Sequence, residues 1–180
     1  MAQAHVMVDL ETFGTGNDAA IVSIGAVKFI PEHHFVGERF YVVVEPGSAV
    51  AYGGVMDAST VLWWMGKERT EAREAMLAEN RVDLPSALEG FAMWYGQDPL
   101  VPVWGNGATF DNVILRSAFK RAGIDCPWGY KADRCYRTIN NLKHNVTFKN
   151  IGVAHNAVDD ACAQAAHLMV VARKLCISLT

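Results

Sequence analysis

Three β-rich runs crowd into the first 45 residues, and this restricts the fold more than any other feature of the sequence. Residues 5–10 (HVMVDL) form a short apolar run interrupted by polar residues. Residues 20–30 are rich in Ile, Val and Phe, with Gly25 inside. Residues 31–34 read as a turn, and residues 39–45 (RFYVVVE) as a third strand ended by Pro46-Gly47. Strands joined this closely favour an antiparallel meander.

The rest of the chain changes character. Asp57 can cap a helix over residues 59–66. Residues 69–78 are charged and read as helical, and Pro85 opens a helix to about Tyr95. Residues 100–104 read as a strand, followed by the break Gly105-Asn106-Gly107 and a helix over 110–121. Residues 124–152 carry no clear period. A long helix over 158–176 has Val158, Ala161, Cys162, Ala165, Leu168, Met169, Ala172 and Cys176 on one stripe. Strands followed by alternating helices and a strand predict an α/β fold with a mixed sheet.

Composition narrows the setting. The chain has 180 residues, the size of one domain, and 51% of them are apolar or aromatic. No apolar run reaches bilayer length, and the start, MAQAHVMVDLE, lacks the pattern of a secretory signal. A soluble, cytoplasmic protein with no membrane partner is expected. The 4 cysteines show no CxxC or zinc-ligand spacing and read as free thiols. Net charge is −3, which argues against wrapping long duplex DNA. It is compatible with a small nucleic-acid site whose carboxylates are neutralised by bound cations.

Five residues stand out as candidate chemistry. Asp9 and Glu11 sit two apart at the end of the first strand, so both carboxylates project from one face. Paired acids of this kind suit a two-metal site, although a solvated strand end reads the same way. Asp111 lies in the first turn of a helix after a strand and a Gly-rich break. It is either a partner for the helix dipole or a third carboxylate at a strand's C-terminal end. His155 precedes the last helix and Asp160 lies in its first turn. The imidazole is either a surface or capping group or one able to reach water near Asp160. Asp159 reads as a solvent-facing dipole partner.

Taken in order, these residues lie in VDLET (8–12), FDNVIL (110–115) and HNAVDDA (155–161). The three segments resemble the exonuclease motifs of the DEDD superfamily. The H-x-A-x-x-D spacing resembles its DEDDh branch (DnaQ-like, RNase T-like). DLETFGTGNDAAIVSIGAVKF, STVLWWM, VWGNGATFDNVILRSAFKRAG and GVAHNAVDDA further resemble small bacteriophage and prophage 3′→5′ exonucleases, over nearly the whole chain.

The resemblance implies an RNase H-like fold, a five-stranded mixed sheet flanked by helices, as a single domain over 1–180. The fifth strand would lie around 128–135. It implies that Asp9, Glu11, Asp111 and Asp160 hold two divalent cations, Mg²⁺ or Mn²⁺, with His155 as general base. The implied reaction releases nucleoside 5′-monophosphates from 3′ ends of single-stranded or frayed DNA. RNA 3′ ends are the alternative, and a non-cleaving nucleic-acid binding module a third reading. Homodimers occur among relatives. Thr12, Phe13 and Asn106 are candidate substrate contacts. Phe13 could stack on the last base or anchor a loop, and Asn106 could approach the strand or shape the turn. Phe110 reads as core. Trp63 and Trp64 could serve as stacking platforms for substrate, but adjacent residues on a helix cannot share a face, so at least one reads as packed in the core or at a subunit contact. His33-His34 reads as solvated.

Overall fold

The computed structural model describes residues 3–77, 80–142 and 145–179. Its strands are β1 (His5–Thr12), β2 (Ile21–Ile30), β3 (Phe35–Val43), β4 (Val103–Gly105) and β5 (Asp133–Cys135). Its α-helices are α1 (Pro46–Ala51), α2 (Ala58–Trp64), α3 (Thr70–Met76), α4 (Leu84–Tyr95), α5 (Asp111–Ala122), α6 (Tyr136–Asn140) and α7 (Ala157–Leu175). The strands form one five-stranded sheet in the order β3-β2-β1-β4-β5. β1–β2 and β2–β3 pair antiparallel, while β1–β4 and β4–β5 pair parallel. This is the mixed sheet flanked by helices that the sequence predicts.

The two faces of β1 serve different helices. Val6, Val8 and Leu10 pack into a core with Leu88 and Phe91 of α4 and Ile114 and Leu115 of α5. Met7 packs on the other face with Ala161, Ala165 and Leu168 of α7. Alternation along the strand puts Asp9 and Glu11 on the α7 face. His5 is also buried there; its Nδ1 accepts a hydrogen bond from Trp104 Nε1 at 3.0 Å. Burial, opposed by Glu32, holds its pKa down at about 4, so the ring is neutral at pH 7.

Several elements differ from the expectation, each for a local reason. β1 runs on to Thr12, so Glu11 is inside the strand. β3 begins at Phe35, because the hairpin ladder resumes at Ile30–Phe35 as soon as the 31–34 turn closes. Pro46 does not simply end a strand. It starts α1, capped by Glu45, whose carboxylate accepts from Ser48 N at 2.6 Å. Asp57 occupies the N-cap of α2 but does not cap it; its Oδ2 accepts from Thr15 N at 2.8 Å instead. The strand expected over 100–104 shrinks to β4, since Pro102 lacks an N–H. Within 69–78, α3 spans Thr70–Met76, and Ala78 lies outside the described residues. β5 falls within the stretch anticipated for a fifth strand, and α6 directly after it had no sequence signal.

One glycine decides how α7 meets the sheet. Gly25 pairs with Asp9 in the β1–β2 ladder. A β-carbon there would collide with the backbone of Ala157 and Val158, the first two residues of α7. The helix therefore starts directly on the strand, beside Asp9. Gly25→Ala is expected to push α7 off the sheet and cost about 1–3 kcal/mol, as overpacked cores do. Thermal unfolding should show a Tm lower by ~2–12 °C. An unchanged Tm would mean that the helix is not seated there.

Candidate active site

A cavity of about 260 Å³ opens where the ends of β1 and β4 meet the first turns of α5 and α7. Asp9, Glu11, Asp111, His155 and Asp160 all line it. The five come from three separate parts of the chain, and each is fixed by a distinct local device.

Asp111 is the first residue of α5 and is almost fully buried. Its Oδ1 accepts from the backbone N of Leu10 at 3.2 Å, which ties it to β1 between Asp9 and Glu11. Asp9 is held from the opposite side. Its Oδ1 accepts from Gln164 Nε2 at 2.8 Å. Gln164 lies one helical turn beyond Asp160, on the same face of α7.

His155 and Asp160 are set by the cap of α7. Asn156 is the N-cap, and its side chain accepts from Asp159 N at 3.4 Å. His155 takes a left-handed backbone conformation, φ 63°, and its N donates to Asp160 Oδ2 at 3.0 Å. Asp159 is not a solvent-facing dipole partner. It is half-buried, and its Oδ2 accepts from Val153 N at 2.9 Å, folding the 152–155 loop onto the helix. The His155 ring packs edge-on against Trp63 and Trp64, with centroids 5.1 and 6.2 Å away.

A second cavity of about 400 Å³ adjoins the first and shares Leu10, Glu11 and Phe110 with it. Thr12, Trp63 and Trp64 are among its other walls. Trp64 is buried, with Nε1 donating to Thr12 O at 3.0 Å, while Trp63 is 41% exposed. Phe110 is half-buried and lines both cavities, so it is not simply a core residue. Phe13 is in neither lining; it packs against the cluster of Val22, Trp64, Ala72 and Met76. Asn106 lines the acidic cavity, and its backbone oxygen accepts from Arg137 at 2.6 Å. His33 and His34 are exposed.

Gln164 and Arg137 are the lining residues that the motifs do not reveal. The spacing of four from Asp160 could have pointed to Gln164. Arg137 lies in the stretch without periodicity and carried no comparable signal.

The electrostatics are those of buried carboxylates, with like-charge repulsion added at Asp9 and Glu11. Burial, then repulsion from Asp9, Asp160 and Asp111, pushes Glu11 up to about 10. Burial lifts Asp111 to about 7 against the backbone donors and the Arg137 charge that oppose it. Asp9 is raised by burial and by Asp111, and Asp160 by burial. Asp111 Oδ2 is buried with no hydrogen-bond partner. One ligand atom each from Glu11, His155 and Asp160 lie within 4.8 Å of one another. An orphaned carboxylate oxygen within an oxygen-rich donor set fits hard divalent cations such as Mg²⁺ or Mn²⁺.

The raised pKa values make metal-free stability depend on pH. The folded state keeps protons that the unfolded chain releases near pH 4, so stability is lost as pH rises from about 4 through the folded value of about 7 for Asp111. His5, with a depressed pKa, works oppositely and loses stability as pH falls from 6.5 toward about 4. The difference between Asp111→Asn and wild type cancels the His5 contribution. In EDTA at pH 8 the variant should be more stable by about 1–2 kcal/mol, or ~2–8 °C, with the gap closing toward pH 4. A variant less stable at pH 8, or a gap independent of pH, would contradict this.

Comparison with known proteins agrees with the fold. The chain is similar to Escherichia coli exonuclease I in a zinc-ion-bound complex with single-stranded DNA, with a TM-score of 0.68 and 18% identity over 96% of this chain and 41% of that one. It is also similar to the E. coli enzyme with a dT13 oligonucleotide (TM-score 0.67, 18% identity, 96% and 41% covered). Exonuclease I from Methylocaldum szegediense gives a TM-score of 0.66 at 17% identity, covering 95% and 40%. The chain thus spans about two fifths of the length of these enzymes, and at such identity the likeness establishes the RNase H-like exonuclease fold. No curated protein matches the sequence. The family model described as the 3′-5′ exoribonuclease Rv2179c-like domain matches residues 4–172. Nearly the whole chain is covered, and it belongs to that family of DEDDh-type 3′-5′ exonucleases.

Proposed function

We propose that the chain is a single exonuclease domain that removes nucleotides from the 3′ ends of single-stranded nucleic acid. The observation that carries this reading is the meeting of Asp9, Glu11, Asp111, Asp160 and His155 in one cavity. Asp9, Glu11, Asp111 and Asp160 are assigned as the residues that hold two divalent cations. The ions, when bound, supply positive charge to offset the carboxylates and the phosphate and to acidify water.

The chain's own groups do the rest. His155 takes the proton of the attacking water, the general-base role that an imidazole most often fills. Water oxygen bonds to phosphorus as the bond to the 3′ oxygen breaks, leaving a shortened strand and a nucleoside 5′-monophosphate. Trp63 and Trp64 hold the imidazole edge-on beside the acids. Gln164 fixes Asp9, and the Leu10 N–H fixes Asp111. The larger cavity, with Thr12, Trp63 and Phe110, takes the terminal nucleoside, its aromatic walls offering a stacking surface.

Two substrates suit this site. DNA is supported by the segments that resemble phage-type enzymes, among which we place the chain, and by the single-stranded DNA complexes of its structural neighbours. RNA is supported by the family description, which names an exoribonuclease. A gel separates them. 5′-labelled DNA and RNA single strands are incubated with Mg²⁺, Mn²⁺ or EDTA. A ladder from the 3′ end that requires the ions is expected, faster on the true substrate. His155→Ala should slow it by about 10²–10⁴-fold. Shortening from the 5′ end, or full activity in EDTA, would overturn the assignment.

A further inference from the structure

One arginine shares the acidic cavity, and it is the one Lys or Arg in that lining. Arg137 is the second residue of α6, directly beyond the edge strand β5. Its guanidinium lies against Gly107: a β-carbon on that glycine would come within 3.2–3.4 Å of Cζ and both terminal nitrogens. Gly107 itself has φ 110°, a conformation that side chains rarely adopt. Nη2 donates to the Asn106 carbonyl at 2.6 Å. The arginine is thus seated in a cradle of backbone.

Its partners are unusual for a cation beside acids. Among the described residues the ion pairs are Lys28–Glu38, Arg69–Glu68 and Arg116–Asp133. Among the described residues Arg137 makes no direct ion pair with any of the four carboxylates that line the same cavity, although its charge reaches Asp111 and favours that group's ionised form. A guanidinium offers five N–H donors in a planar fork that matches phosphate oxygens. One of them is committed to a neutral carbonyl, and the side chain is exposed. A positive charge held in place, near Asp111 but in direct contact with no carboxylate among the described residues, keeps donors open for an anion from outside.

Charge balance says which anion. Four carboxylates and two divalent cations sum to zero. The scissile phosphodiester then brings one negative charge, and hydrolysis raises it toward two on the released monophosphate. A fixed cation on the cavity wall offsets the charge that the substrate brings and the reaction increases.

We propose that Arg137, seated on Gly107 and the Asn106 carbonyl, binds the phosphate of the 3′-terminal nucleotide and holds it as the 5′-phosphate of the product. This rests on the exonuclease reading. It also explains why Asn106 belongs to the site: its carbonyl aims the arginine.

The test is a binding comparison in Mg²⁺, with no turnover needed. Thymidine 5′-monophosphate and thymidine, and uridine 5′-monophosphate and uridine, are titrated into wild type, Arg137→Gln and Arg137→Lys. Wild type should favour each monophosphate over its nucleoside. Arg137→Gln should lose about tenfold or more of that preference, as expected for a charge-assisted forked contact, with nucleoside affinity unchanged. Arg137→Lys should fall between. The proposal is overturned if Arg137→Gln keeps the wild-type preference, or if wild type shows none. It is equally overturned if nucleoside and monophosphate binding weaken together, which marks a structural role. The ladder assay reads independently: a wild type that shortens no strand sinks the nuclease reading, whatever the monophosphate preference.

Discussion

The site depends on the seating of α7 against the β1–β2 pair. Gly25 lets the backbone of Ala157 and Val158 rest on the sheet opposite Asp9. From that contact follow the reach of Gln164 to Asp9 and the placement of Asp160 and His155 at the same strand end. α5 is locked in the same way, by Asp111 accepting from Leu10 N. Two helix starts are thereby brought to the carboxyl end of one strand, where parallel neighbours such as β4 leave a crevice.

This convergence works against folding. Burial in a partly closed cavity raises all four carboxylates, their neighbours lift Asp9 and Glu11 further, and Asp111 Oδ2 has no hydrogen-bond partner to relieve it. The apolar cores on both sheet faces must offset that cost. Such strain is common where function and stability compete. Divalent cations held there would have a double part, relieving the repulsion while serving the proposed chemistry. The loop before α7 shows the same economy: Asp159 and Asp160 each accept a backbone N–H from it, so the acids that open the helix also shape the approach of His155.

What the sequence made legible follows from which forces are local. Apolar runs in β1 and β2, strands buried on both faces, and the long stripe of α7, buried on one, reveal the sheet and its covering helix. The acids are legible only as an ordered set, because each alone also serves a strand end or a helix dipole. β5 and α6 carry Asp-Arg-Cys and a five-residue helix, too short and polar for any period to register. Asp57 misleads for a related reason: it has the right residue type for a cap, but a loop 42 residues away offers its N–H instead. Phe13, next to the acid pair, turns inward, while Trp63 and Phe110 line the cavity. Side-chain direction in a loop depends on tertiary packing, which no local pattern encodes. Gln164 sat in plain view on the Asp160 face of α7, but a buried amide reads as an ordinary helix residue until its partner is known.

The central claim is that the fold forces these carboxylates into protonated proximity that divalent cations resolve. Calorimetric titration of Mn²⁺ into the metal-free protein at pH 7, in two buffers of different ionisation heat, tests it most directly. The account predicts about two ions per chain and a heat that changes with the buffer, because binding expels protons from the acids. Less than one ion per chain, or the same heat in both buffers, would contradict it.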